Sequence, residues 1–382
     1  MSLIDLGVSI QRFQADMFPF EVYNPLETAA ENANADLVEC FIDRSSVLDV
    51  EACSEALIGA LKGLGRHGTA DDFLRTVEIL LRHGANPNAQ DEKGRSALHY
   101  VATAYPPYVI PTSRSIFELL LDRGANPNLK DGCGETPFHL ICQYSPESKG
   151  DLIKLLLDAG ADPNILSTES KNSLYFAAGE YSEEPVKILL DSGALIEAGG
   201  YSALYAALRG YACPDSVRLL LASGAQIPYD GVETEAPISI LLRRMSTSEE
   251  HKIEILQLLL ERKVKIQAED FKTASRPPGS NAKALELFFQ HKHLLPEQDL
   301  PRILANTINT KWQMSSSNLS IKMLIDNGAD ATKRVERYGI SSSLLHCICF
   351  DTTNDYIRYL VNKGVNVNSL DTAGCTPLHI AA

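Results

Sequence analysis

Apolar positions along the chain recur at helical spacing in short runs, each closed by a small residue and a polar turn. The runs LLRHGANPN (80–88), LLDRGANPN (120–128), LLDAGADPN (156–164), LLDSGALIE (189–197) and LLASGAQIP (220–228) share this plan. LIDNGADAT (324–332) and LVNKGVNVN (360–368) repeat it. Apolar residues on most of the circumference predict a helix covered by neighbours on two sides. The glycine that follows ends the helix, since glycine takes left-handed backbone cheaply. These glycines stand at 84, 124, 160, 193, 224, 328 and 364, so the steps are 40, 36, 33, 31, 104 and 36. The long step conceals two weaker copies, LLLERKVKI (258–266) and LFFQHKHLL (287–295), with Lys263 and Lys292 in the glycine slot. Upstream, VECFIDRSSVLDV (38–50) fits with Ser45 in that slot.

A second pattern lies between these runs. DEKGRSALHYVA (91–102), DGCGETPFHLIC (131–142) and DTAGCTPLHIAA (371–382) share an opening Asp, a Gly three residues on, then Thr/Ser, Pro/Ala, Leu/Phe and His. Eroded copies are NPLETAA (24–30), NSLYFAA (172–178), SALYAAL (202–208), EAPISIL (235–241) and SSLLHCI (342–348), with SEALIGAL (54–61) a further candidate. The pattern predicts a first helix: Thr136 and Thr376 cap it through their hydroxyls, and Pro137 and Pro377 sit where a missing N–H costs nothing. Leu98, Phe138 and Leu378 then face inward, and Ala102, Ala177 and Ala206 let helices approach closely. His99, His139, His346 and His379 read as buried imidazoles that bridge adjacent repeats by hydrogen bonds. Asn88, Asn128, Asn164 and Asn368 read as turn residues bonded to nearby backbone.

Together the two patterns resemble the ankyrin repeat, a unit of about 33 residues with a turn, two helices and a T-P-L-H-x-A signature. The resemblance runs from about residue 22 to 382. The fold expected is an all-α solenoid of about ten stacked helix-turn-helix repeats with β-hairpin-like loops. Residues 1–21 form an N-terminal cap, 22–270 a first stack, 271–300 a degenerate repeat or hinge, and 301–382 further repeats with the last one incomplete. A stack that stops at LHIAA predicts a fragment or an atypical cap.

Charge sharpens the picture. The chain of 382 residues carries a net charge of −14. Residues 1–200 hold 15 Lys and Arg against 30 Asp and Glu, a net of −15, whereas 201–382 hold 20 against 19. Such a half repels phosphate backbones and favours a basic protein segment, so no nucleic-acid partner is expected. No apolar run approaches the roughly 20 residues of a membrane span, and no membrane partner is expected. The N-terminus lacks a secretory pattern and eight scattered cysteines lack a disulfide framework, which suits an intracellular chain, cytoplasmic or nuclear.

Chemistry is sparse. Phosphate-loop, dinucleotide, nucleophile-elbow and zinc-protease motifs are missing from the sequence. His291 and His293, with Glu297 and Asp299 nearby, are the one metal candidate, and two His two apart on a helix point to different faces. No cofactor and no catalysis are expected. The resemblance implies a protein-binding module whose hairpin tips and first helices touch a partner. Its candidate contacts are Glu92, Lys93 and Arg95, Cys133 and Glu135, Glu169 and Lys171, Tyr201, and Thr372. Tyr105, Tyr144, Tyr181 and Tyr211 fall five or six residues after the signature His or Tyr. They form either an aromatic ladder at the end of the first helices or rings that fill grooves between repeats. Insertions at 104–114, 144–151, 211–215, 245–252 and 309–320 collect on one edge in this scheme. Two alternatives stand beside the binding module: the recognition region of a larger multidomain protein, and an enzyme built on the solenoid.

Overall fold

The computed structural model describes residues 13–14, 22–44, 50–64, 69–103, 110–144, 149–211, 213–227, 235–244, 247–274, 282–294, 303–304, 321–337, 340–348 and 354–381. They divide into two compact units: Met1–Ala206 with Leu219–Ala225, and Ala207–Arg218 with Gln226–Ala382.

In the first unit, helices alternate along the chain as pairs. They are α1 (Pro25–Glu31) and α2 (Ala35–Arg44), α3 (Val50–Lys62) and α4 (Ala70–Arg82), α5 (Ala97–Thr103) and α6 (Ile110–Asp122), α7 (Pro137–Tyr144) and α8 (Lys149–Asp158), and α9 (Ser173–Ala178) and α10 (Glu183–Asp191). The first helices pack in sequence, α1 on α3, α3 on α5, α5 on α7 and α7 on α9, while α2 packs on α4 and α4 on α6. The predicted inward positions explain this. Leu98, Phe138, Leu120, Leu156 and Leu189 are buried almost completely, and Ala102 and Ala177 lie under the neighbouring helices. Each large apolar side chain so covered contributes on the order of 1.5–3 kcal/mol.

Two-residue strands β3 (Glu197–Ala198) and β4 (Tyr201–Ser202) pair antiparallel, and Gln90 bridges Ser96 in the same manner. These are the hairpin fingers. A further pair, β1 (Phe13–Gln14) with β2 (Val22–Tyr23), precedes α1.

In the chain order α11 (Ala203–Arg209) and α12 (Pro214–Ala222) come next. The second unit holds α13 (Pro237–Arg243), α14 (Glu249–Glu261), α15 (Ala268–Ala274) and α16 (Ala282–Gln290). It continues through a helical stretch at 321–326, the hairpin β5 (Val335–Arg337) and β6 (Ile340–Ser342), and α17 (Leu344–Ile348), α18 (Asn354–Asn362) and α19 (Pro377–Ala381). Here α13 packs on α15 and α14 on α16.

The glycine slots behave as the sequence predicts. Gly84, Gly124, Gly160, Gly193, Gly224, Gly328 and Gly364 take φ between 82° and 108°. Lys263 occupies the same slot with φ 61°, an L-residue held in left-handed backbone. Three readings need correction. Ser45 lies outside the described residues, and His379 is exposed rather than a buried bridge, its Nδ1 paired with the Thr376 hydroxyl of its own repeat (2.7 Å). The Thr136 hydroxyl bonds an imidazole (below) rather than the helix N–H groups. Leu378 is 77% exposed, because no described residue packs over it as α7 packs over α5.

Candidate protein-binding surface

The fingers are shaped by their first residue. Asp91 Oδ1 accepts the N–H of Lys93 (3.0 Å) and of Arg95 (2.9 Å), and Asp131 Oδ1 does the same for Cys133 and Glu135. Asp371 repeats the turn with Ala373 and Cys375. Successive tips are tied by backbone: the Gly132 N–H donates to Lys93 O (2.8 Å) and the Thr168 N–H to Cys133 O (2.9 Å). Gly134 is required twice there. Its φ is +70°, and a Cβ on it would lie 2.8 Å from Thr168 N.

Beneath the tips, His99 and His139 lock repeat to repeat. Nδ1 of His139 accepts the Thr136 N–H (3.1 Å) and pairs with the Thr136 hydroxyl (2.8 Å), so Nε2 carries the proton and donates to Lys171 O (3.2 Å). His99 joins Ser96 to Glu135 O, and His346 joins Ser343 to Cys375 O, by the same geometry. Burial pushes the His99 and His139 imidazoles below their ordinary range, which keeps them neutral. In the copy without a histidine, Asn172 takes over: its Oδ1 caps α9 through the Tyr175 N–H (3.0 Å) and its Nδ2 donates to Leu195 O (2.8 Å). The turn asparagines also reach across rather than locally. Asn88, Asn128 and Asn164 donate through Nδ2 to Gly124 O, Gly160 O and Gly193 O. Their Oδ1 atoms accept the N–H of Asn126, Asp162 and Leu195.

On this scaffold the candidate contacts of the first unit fall into a charged and aromatic strip. Glu92, Lys93, Cys133 and Glu169 are exposed at the tips, and Arg95, Glu135, Lys171 and Tyr201 are half-buried just inside. Arg95 pairs with Asp131 (3.6 Å) and Lys171 with Glu169 (2.7 Å). The Lys171 ammonium also lies 5.0 Å from the Tyr175 ring centre and 5.6 Å from that of Tyr201, and the two rings meet edge to face. Glu135 is held above the usual carboxylate range by burial first, then by Asp131 and Glu169. Tyr100 donates to Asp91 Oδ2 (2.5 Å), and burial followed by that bond pushes its phenol up to about 12. The sequence reading passed over Tyr100 and Tyr175, whose signal was an aromatic at or beside the signature histidine position.

Thr372, in the second unit, is exposed, and its hydroxyl accepts the Ser341 N–H (3.2 Å). Of the tyrosine ladder, Tyr181 is 60% and Tyr211 37% exposed. Tyr105 and the side chain of Tyr144 lie outside the described residues. His291 and His293 have ring centres 6.0 Å apart, with His291 Nδ1 bonded to Leu287 O. Glu297 and Asp299 are outside the described residues, among which no group of three or more His, Cys, Asp or Glu is placed to hold a metal. Nor is any described helix long and apolar enough to cross a membrane.

Helix pairs joined by fingers and sealed by recurring side-chain-to-backbone bonds define a helical-repeat protein. Known families agree. Residues 146–229 match "Ankyrin repeats (3 copies)", residues 345–382 match "Ankyrin repeats (many copies)" and residues 93–132 match "Ankyrin repeat". A human protein, "Ankyrin repeat, SAM and basic leucine zipper domain-containing protein 1", is 30% identical over 101 residues, and its gorilla counterpart 29% over 100. These alignments cover 26% of this chain and 20% of either relative's length. Over those residues the chain carries ankyrin repeats, and ankyrin repeats are protein-interaction modules.

Proposed function

We propose that the chain is a non-catalytic recognition module that binds a partner protein on its finger tips and first helices. The observation that carries this reading is the backbone tie between tips, Gly132 N–H to Lys93 O and Thr168 N–H to Cys133 O. It holds Glu92, Lys93, Cys133 and Glu169 in a rigid array, so docking loses little ordering entropy. The charge of −15 over residues 1–200 favours a partner segment rich in Lys or Arg, and an intracellular setting suits the free thiols. The exposed Tyr181 and Tyr211 rings are a second, aromatic set of contacts on the same reading.

Affinity capture tests it. A variant carrying E92A, K93A and E169A is expected to keep the wild-type melting temperature and lose partner proteins that wild type retains. Equal recovery by both would remove the tips from the contact, and a parallel Y181A/Y211A variant reports on the tyrosines.

A further inference from the structure

Four successive fingers place a side chain at the same station, two residues ahead of α5, α7, α9 and α11: Arg95, Glu135, Lys171 and Tyr201. Arg95 reaches forward to the next finger, 3.6 Å from Asp131. Lys171 instead turns onto its own finger, where its ammonium donates to Glu169 Oε2 at 2.7 Å. The same ammonium lies 5.0 Å from the Tyr175 ring centre and 5.6 Å from that of Tyr201.

This cradle is built from fixed parts. Asn172 Oδ1 holds the Tyr175 N–H at 3.0 Å, Tyr201 stands in the β3–β4 hairpin, and the two rings meet edge to face at 5.7 Å. Glu169, at the open side, has 69% of its side chain exposed. Two aromatic rings and one accessible carboxylate suit an ammonium that keeps an N–H to donate.

Nothing in the cradle requires that ammonium to be the chain's own. The Lys171 main chain is held without help from its side chain, because the Ser167 N–H (2.9 Å) and His139 Nε2 (3.2 Å) both donate to Lys171 O. Leaving the cradle is then a change of rotamer on a fixed backbone. The neighbouring finger offers a destination. The half-buried Glu135 carboxylate is raised by burial and by the charges of Asp131 and Glu169, and the positive charge of Lys171 already counters them.

We propose that Lys171 is an internal stand-in for a lysine of the partner protein: docking puts the partner's ammonium against Tyr175, Tyr201 and Glu169, and Lys171 swings out toward Glu135. This rests on the protein-recognition reading above and specifies which side chain is read and where. The free chain thus competes for its own site, and affinity for an outside ammonium falls by the fraction of molecules whose cradle is vacant. Wet cation–ring contacts and exposed ion pairs each shift such an equilibrium about two- to fivefold, so the competition is measurable and surmountable.

The test uses the full chain labelled with ²H and ¹⁵N and titrated with n-butylammonium, a lysine side chain without its backbone. Butylguanidinium, butyltrimethylammonium and 1-butanol are run in parallel. K171M keeps the apolar stem and removes the ammonium. It should bind butylammonium at least about fivefold more tightly than wild type, with saturable shifts confined to the amides of 169–175 and 201. K171Q should do the same, so a folding fault in one variant does not decide the result, and K171M/E169Q should lose the gain. Butylguanidinium and butyltrimethylammonium should bind more weakly, and 1-butanol should give no saturable shift. A K171M and K171Q affinity no higher than wild type, shifts scattered over the surface, or an equal response to 1-butanol would each overturn the stand-in. Butylguanidinium or butyltrimethylammonium binding as tightly as butylammonium would overturn the assignment to lysine. None of these outcomes bears on partner capture through Glu92 and Lys93, so the cradle and the recognition reading fail separately.

Discussion

The repeats around α5–α10 and those around α13–α16 solve the same problem with different materials. In the first region, neighbours are joined by polar bonds that recur at each step: His99 and His139 to carbonyls, Asn88, Asn128 and Asn164 to loop backbone, tip to tip. In the second, signature histidines are missing, and rings do the joining. Phe271 lies 4.9 Å from Phe288 and 5.5 Å from Phe289, and all three are buried. Polar links are present there too: Ser239 Oγ donates to Asp270 Oδ1 at 2.5 Å, the Ile266 N–H donates to Leu294 O at 3.2 Å, and the Asp270 carboxylate also accepts the Gln267 N–H. Directional bonds demand particular residues at particular places, so the first region keeps a visible signature. Apolar packing demands only volume, which is why the second has lost it.

That contrast is easiest to break at Phe271. F271A should cost about 3–5 kcal/mol, read as a loss of urea stability with amide exchange rising first in α13–α16. A cost under about 1 kcal/mol would mean the rings are not what joins these helices. Next is H139L, which strands the Thr136 N–H and the Lys171 carbonyl in a buried site, for about 2–3 kcal/mol localised to α7–α10.

The two regions should also answer acid in opposite senses. Folding depresses the His99 and His139 pKa values below about 6.5, so the unfolded chain binds more protons. Their contribution is complete above the unfolded value and declines as pH falls through the folded one. Asp270 is raised by burial, so its contribution is greatest at low pH and is lost as pH rises through its folded value. H99Q/H139Q should therefore flatten the fall in urea midpoint between pH 7 and 5.5, and D270N should leave that window's slope in α5–α10 unchanged. The smallest effect expected is a gain. K263G relieves left-handed strain at φ 61° and should stabilise the second unit by up to about 1 kcal/mol. A loss there would mean that Lys263 packs rather than merely tolerates its backbone.

Much of this was legible before any coordinates. The glycine slots predicted the left-handed residues; of the two lysines aligned to that slot, Lys263 takes positive φ, whereas Lys292 begins a short 3-10 turn. His99, His139 and His346 were readable as bridges because a buried imidazole needs two partners, whereas His379, read the same way, is exposed and bonded to Thr376 of its own repeat. What the sequence hid were distances across repeats. Asn88 looks like a local turn residue because nothing in its own segment announces a carbonyl 36 residues away. Asn172 gave no sign that one amide would replace a threonine–histidine pair.

The asparagine and histidine joints of α5–α10 have one further consequence. Each inserts a side chain from one repeat into main-chain atoms of the next, and main-chain atoms are the same whatever residues carry them. A repeat can therefore change every outward side chain without disturbing the neighbour that grips it. Structural coupling and surface identity are thereby uncoupled, and substitutions at the fingertips are free to follow the demands of a partner while the stack stays intact.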